Sequence, residues 1–464
     1  MSKKIKTLII ALGVLVLLGG AYYGSTVWKK KKADAALSPS TSPKLGNLDS
    51  ANLVKIDING LLLEKKGEAW ELSSVGGKKP AGGIVLDDSQ IQRLTWSFAS
   101  IWAERIVDDK PADLSIYGLD KPSSHVTVAD SGGKTVSYIL GNMNPSKDGY
   151  YLMEEGDPKV YSVASYSGDS MNSTLDKLRK KTLFPAFEFN DLTGLRIENA
   201  GTKIDIKTKP ASVPPYLASS FSTHIMTSPY KLTRGVDRQA LYDLLTPLKD
   251  ITIDEFVDDN PSSLVPYGLD KPARFFFETS KASVDLLVGN QIGGARYAKL
   301  AGSPGVFTVN GLDKMINVKP YTLVDKFVLL VQIDSTDKLT ISGGEKPLSA
   351  EFQGKGDDAV FTLNGKKAEA KSFKGFYQAV VGLMTDAEYL PATAAAANAK
   401  DGNINIEYRL NTPPGEKVSI TLVPYNRDFY ALRQEGTMEF LISRNQVQSI
   451  YEKADQVSYA DSSK

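Results

Sequence analysis

No cysteine occurs anywhere in the sequence, and histidine occurs only twice, at His125 and His224. The first absence excludes disulfides, thiol nucleophiles, thiolate metal sites and a lipid anchor on cysteine. The second leaves little for imidazole chemistry. His125 sits in the alternating run SSHVTV and His224 in a Ser/Pro-rich stretch, and both are expected in surface or strand-face roles rather than in a Ser-His-Asp triad. A basic surplus is missing as well. Lys and Arg number 55 and Asp and Glu 54, but seven of the basic residues fall in the first 32 positions, which hold no acid. The rest of the chain therefore carries 48 basic against 54 acidic residues, a net of −6, and lacks the electrostatic footprint of a nucleic-acid binder. The stretch GGKKPAGG at 76–83 lacks the spacing of a phosphate loop. Asp108, Asp109, Asp113, Asp258 and Asp259 lack that of a calcium loop and are expected as solvated carboxylates. No cofactor or metal is expected.

What the chain does have is an uncharged run of 22 residues, 7–28, TLIIALGVLVLLGGAYYGSTVW. As a helix it would extend about 33 Å, enough to cross a hydrocarbon core of about 30 Å. Tyr22, Tyr23 and Trp28 lie at one end, where aromatic rings favour the headgroup boundary. A cleaved signal peptide is the competing reading, but Lys29–Lys32 stand between the apolar run and the small-residue site ADA at 33–35. We expect a retained anchor over 1–32, with the amino terminus inside and a single-pass, extracytoplasmic body. Lysine counts on the two sides do not themselves decide the orientation. Residues 33–50, small and polar with prolines, read as a flexible linker.

The segments VDDKPADLSIYGLDKP (107–122) and VDDNPSSLVPYGLDKP (257–272) agree at eleven of sixteen positions. Around them a longer pattern recurs three times: alternating runs with a strand period, one amphipathic helix, a meander of four alternating runs and a short closing helix. The helical stripes are Ile91, Leu94, Phe98, Ile101 and Trp102; Leu241, Leu244, Leu245 and Leu248; and Phe373, Phe376, Tyr377, Val380 and Met384. Asp87 or Asp88 and Asp237 are expected as N-caps. The fold class expected is α+β: three tandem repeats over 51–190, 191–330 and 331–464, each an antiparallel sheet with two helices, behind one transmembrane helix. The opening strands are placed at LVKIDI, LTGLRI and VQIDST, and an aromatic-x-Leu strand follows at Trp70, Tyr230 and Phe361.

The doubled hexapeptide reads as a helix-to-sheet corner. Gly118 and Gly268 permit positive φ, and Pro122 and Pro272 start the next extended run. Leu119, Leu269, Tyr117 and Tyr267 are expected to pin it to the core, with Asp120 and Asp270 accepting local amide hydrogens. The third unit has PATAAAANAKDG at 391–402 instead. A replaceable corner is not a catalytic centre, and no catalytic residue is assigned.

With Gly141–Asn142 and Gly289–Asn290, these motifs resemble a bacterial family catalogued only as domain of unknown function 4340. The resemblance implies a membrane-anchored, extracytoplasmic protein, in some cases associated with ABC-type transporters, and implies no catalytic residues. Two places are expected as interfaces. Trp96 lies about 140° from Ile91 on the helical wheel. Tyr216, Phe221, His224 and Met226 are carried by the irregular stretch 209–230. The functional expectation is a non-enzymatic scaffold or accessory subunit with protein partners in the envelope and no nucleic acid. The alternatives are a carboxylate-based cell-wall hydrolase or a solute- or polymer-binding module.

Overall fold

The computed structural model describes residues 42–184, 186–218, 220–391, 402–411 and 416–460. The expected anchor at 1–32 lies outside them. Among the described residues no helix is long and apolar enough to cross a membrane. The chain forms two compact units, up to Lys180 and from Lys181 onward; the first carries one nine-stranded antiparallel sheet and the second carries two.

All three sheets follow one course. In the first, Leu53–Ile58, Leu61–Lys66 and Ala69–Val75 form a three-stranded meander, and the helix Asp88–Ala99 then carries the chain to the opposite edge, where Ile101–Asp108 is laid down. A second meander, Ser124–Asp130, Thr135–Met143, Gly149–Glu154 and Val160–Ala164, fills the space between. Its first strand pairs with the opening strand (Ile56 opposite Val128) and its last with the strand after the helix (Ile106 opposite Tyr161). The second sheet repeats both closures at Leu195–Phe277 and Phe256–Phe307, and the third at Leu339–Tyr408 and Ala387–Leu441.

Alternation explains the strands. Leu53, Ile56 and Ile58 point into one core with Val126, Val128, Tyr138 and Leu140, while the residues between them face outward. The helices cover that face with the expected stripes: Ile91, Leu94 and Phe98; Leu241, Leu244 and Leu245; Phe373, Phe376, Tyr377 and Val380. Asp87 caps the first helix, accepting from the amides of Ser89 (2.9 Å) and Gln90 (3.2 Å), and Asp237 caps the second, accepting from Ala240 N–H at 2.8 Å.

The proportions differ from the expected two helices per unit: the protein is mostly β. The closing helix is a single turn at Leu175–Leu178 and Asp313–Ile316, and only Arg444–Asp455 runs to 12 residues. Sequence periodicity also carries the first helix too far. Ile101 and Trp102 belong to the edge strand after it, which buries Ile101 and exposes Trp102. Met384 likewise lies beyond the helix ending at Val381. The third opening strand is Thr336–Ser342 and not VQIDST, while Tyr230 falls after the strand His224–Ser228 rather than in it. Residues 42–50 of the expected linker are built into the fold: Lys44–Leu45 pairs with the edge strand, and Leu45 and Leu48 are buried. The second core takes in Leu183, Phe184 and Phe187, ahead of the expected start at 191.

Candidate functional sites

The two hexapeptide corners have one geometry. A 3-10 turn, Leu114–Tyr117 or Val265–Tyr267, ends on a left-handed glycine, Gly118 at φ 71° or Gly268 at φ 66°. The second half of the corner is the Gly-Asn pair. At Gly141–Asn142 and Gly289–Asn290 the strand register shifts, and the turn seats on that bulge. A Cβ on Gly141 would lie 2.2 Å from the Tyr117 carbonyl oxygen, and one on Gly289 2.1 Å from that of Tyr267. A Cβ on Gly118 or Gly268 would meet Asn142 or Asn290 at 2.4 Å or less. The motifs are therefore two faces of one contact that only glycine permits. In the third sheet the corresponding strands pair without a register shift.

The corner carboxylates are engaged in this architecture. Tyr117 donates its hydroxyl to Asp108 at 3.0 Å and Tyr267 donates to Asp258 at 3.3 Å, while their rings meet Tyr151 and Tyr297 edge-on at 5.0 and 5.1 Å. Asp113 accepts from Ser115 N–H at 2.8 Å, and the Ser115 side chain and amide hold its carboxyl below the usual range. This is the local capping role expected of Asp120 and Asp270, which are instead exposed. Leu119 and Leu269 are buried as expected. Among the described residues, no three His, Asp or Glu side chains converge to hold a metal.

Sequence reasoning missed a buried polar cluster at the seam joining the two sheets of the second unit. Phe440, from the third sheet, is buried in the core of the second, with Tyr230 and Tyr321 against its ring at 5.0 and 5.5 Å. Arg234 lies over the same ring at 4.7 Å and donates to Glu439 Oε2 through Nη2 at 2.7 Å and to Gln434 Oε1 through Nη1 at 2.6 Å. Since guanidinium only donates, that last bond fixes the Gln434 amide and leaves its buried Nε2 without an acceptor. Arg234, Asp325, Thr385 and Gln434 line a cavity of about 30 Å³ there. Tyr230 donates to Glu388 at 2.6 Å, and burial, reinforced by that carboxylate, raises its hydroxyl pKa. Lys326 stands 3.3 Å from the Tyr321 ring centroid, and burial brings its pKa down to about 8. The signal available in sequence was a lone Arg in a strand-length stretch with an acid-aromatic pair, Glu439–Phe440, some 200 residues away. Nothing in one sequence links them.

The residues expected as an interface part company. Phe221 is 77% exposed, but Tyr216 is half-buried against the third core, and Met226 and His224 are buried in the strand His224–Ser228. His224 is fully bonded. Its Nε2 donates to the Leu192 carbonyl at 3.0 Å, so Nδ1 accepts from the Thr223 hydroxyl at 3.0 Å, and burial pushes its pKa down. Trp96 is 61% exposed, as its place off the stripe implied. It lines a groove of about 650 Å³ between the helix Asp88–Ala99 and the hairpin that carries Trp70.

A family model, domain of unknown function (DUF4340), matches residues 79–272 and again 225–401. The chain belongs to the DUF4340 family. Each match begins ahead of the helix of one repeat and ends at, or at the equivalent of, the corner of the next. The family's sequence window thus straddles two sheets instead of coinciding with one. No curated protein and no solved structure matches the chain.

Proposed function

We propose that this DUF4340 protein is a membrane-tethered, extracytoplasmic scaffold or accessory subunit without catalytic activity, serving a transport or envelope assembly. The observation that carries the reading is the employment of its polar groups. The corner carboxylates Asp108 and Asp258 hold tyrosine hydroxyls, His224 has both ring nitrogens bonded, and Arg234 and Glu439 satisfy each other inside a joint. A hydrolase needs two carboxylates free to face a substrate. The uncharged run at 7–28 supports the anchor, and the transport setting is what the family resemblance implies for some members.

The test is site-specific photo-crosslinking in intact cells from Phe221 and, as a buried control, from Met226. A scaffold gives a discrete envelope-protein adduct at Phe221 and none at Met226. Hydrolysis of purified cell-wall polymer by the full-length protein, lost in Asp108→Asn or Asp258→Asn, would overturn the reading.

A further inference from the structure

The three repeats provide an internal control. The buried helix positions Ile91, Leu94 and Phe98 correspond to Leu241, Leu244 and Leu248 and to Phe373, Phe376 and Val380. In that register Trp96 corresponds to Thr246 and Gln378, both exposed. The fold therefore accepts a small or polar side chain at this position, and its core makes no demand for an indole there. An aromatic held 61% exposed at such a position is available to a ligand.

The surroundings of Trp96 indicate what that is. Asp88, Gln92 and Trp96 follow each other at i, i+4 and i+8 along the exposed face of the helix, spanning about 12 Å at 1.5 Å per residue. Across the groove stand Lys65, Glu68 and Trp70; the helix-start residues Asp88 and Ser89 share a second, adjoining hollow with Trp70. Two indoles, the exposed Trp96 and Trp70, which is half-buried against the first core, thus flank a shallow trough, one near each end of the stripe. Its charges nearly cancel, with Lys65 paired to Glu68 at 3.8 Å and Asp88 placed in the first helical turn. A polyanion finds no excess of cations here. The Gln92 amide both donates and accepts, and Asp88 accepts through two oxygens. Flat apolar faces alternating with neutral or acceptor groups match the two aspects of a sugar ring: C–H faces that lie on indoles and hydroxyls that need both donors and acceptors.

We propose that this groove is a binding site for a neutral glycan chain. The ligand meets the site only if the body is extracytoplasmic, so in the cell the inference rests on the reading above; binding by the purified protein does not.

The test uses the full-length protein in a detergent without sugar headgroups, titrated with neutral N-acetylglucosamine oligomers of four to six units. Tryptophan fluorescence and calorimetry report binding. Saturable binding with a blue shift is expected, weakened at least tenfold in Trp96→Ala, weakened severalfold in Gln92→Ala and unchanged in Trp102→Ala, whose exposed indole lies outside the groove. Trp96 is off the core, so its variant keeps the fold, which circular dichroism checks. Absence of saturable binding, equal affinity in Trp96→Ala, or preference for a peptide or a sulfated polysaccharide overturns the proposal. The Phe221 adduct is measured in parallel. Its persistence in Trp96→Ala separates failure of the glycan site from failure of the scaffold reading.

Discussion

The seam of the second unit and the groove of the first use the same materials to opposite ends. At the seam an aromatic side chain, Phe440, is 1% exposed and its neighbouring ion pair, Arg234 with Glu439, is about nine-tenths buried. In the groove the aromatic, Trp96, is 61% exposed, and the ion pair Lys65–Glu68 reaches water on its Glu68 side. Burial turns the first set into a joint, because a desolvated, geometrically satisfied pair resists separation and breaking one partner strands a charge. Exposure leaves the second set adding little to stability and free to meet something else. One repeated architecture thus supplies both a glue and a surface, and the difference lies in what packs against the helix and the strand edge.

The largest effect should come from emptying the joint. Phe440→Ala removes a ring from the core of the second sheet and from beneath Arg234, and is expected to destabilise the second unit by about 3–5 kcal/mol. Hydrogen exchange should then rise not only around Phe440 but across Leu192–Asn199 and Ala273–Thr279, which share its core. Loss of protection confined to the third sheet would show that the two sheets are stable independently. The corners come next. Gly268→Ala forces a Cβ into Asn290 at a left-handed φ of 66°, and a destabilisation of about 2 kcal/mol or more is expected in urea melts. Gly375→Ala, inside the third helix with open space around its Cβ position, is the control and should be neutral or stabilising.

A pH dependence marks the seam specifically. Burial lowers the Lys326 pKa from 10.5 to about 8, with Asp237, Glu388 and Asp325 opposing the shift and Tyr321 beneath the ammonium group. Between those values the unfolded chain holds a proton that the folded one does not, so this group makes stability rise as pH climbs from about 8 toward 10.5. Below pH 8 both states are protonated and the burial penalty is present in full. Tyr377 and Tyr451 act oppositely, since burial pushes each up to about 12 and unfolding becomes easier as the unfolded phenols ionise above pH 10. Stability of the second unit should therefore peak between those regimes. Lys326→Met should remove the rise and leave the alkaline fall, and an unchanged profile in that variant would detach Lys326 from the seam.

Much of this architecture was legible because local signals agreed. Alternating runs placed the four meander strands of every repeat, and Asp87 and Asp237 announced their helices as caps. The hexapeptide announced a glycine turn and the prolines that restart the chain, but the corner joins the strands Ile101–Asp108 and Ile253–Asp258 to their meanders and not, as expected, a helix to the sheet. What escaped was non-local. The strands Ile101–Asp108 and Ile253–Asp258 pair with partners far along the chain, the last strands of their meanders and, for the first, Lys44–Leu45, so Ile101 was absorbed into a helical stripe that it happened to fit. The Gly-Asn pairs act as bulges beneath a distant corner, and that role depends on contacts more than twenty residues away. His224 and Met226 sat in a stretch whose Ser and Pro content read as loop, although a strand ladder and two ring bonds hold them inside. Arg234 and Glu439 meet across some 200 residues, a separation over which no periodicity carries information.

The smallest expected effect divides the two regions most sharply. Trp96→Ala deletes the largest side chain type from an exposed helix position, yet Gln378 in the third helix and Thr246, in the 3-10 turn that continues the second, occupy the equivalent places, and the stripe of Ile91, Leu94 and Phe98 is untouched. Alanine is also the best helix former, so lost surface contact and gained propensity act in opposite directions. The change in unfolding free energy of the first unit should stay within about 0.5 kcal/mol, measured by urea titration of the full chain with circular dichroism. A loss of about 2 kcal/mol or more would mean that the indole packs as Phe440 does. Trp96 would then be a second joint instead of a surface, and the contrast between the two regions would collapse to a difference in degree.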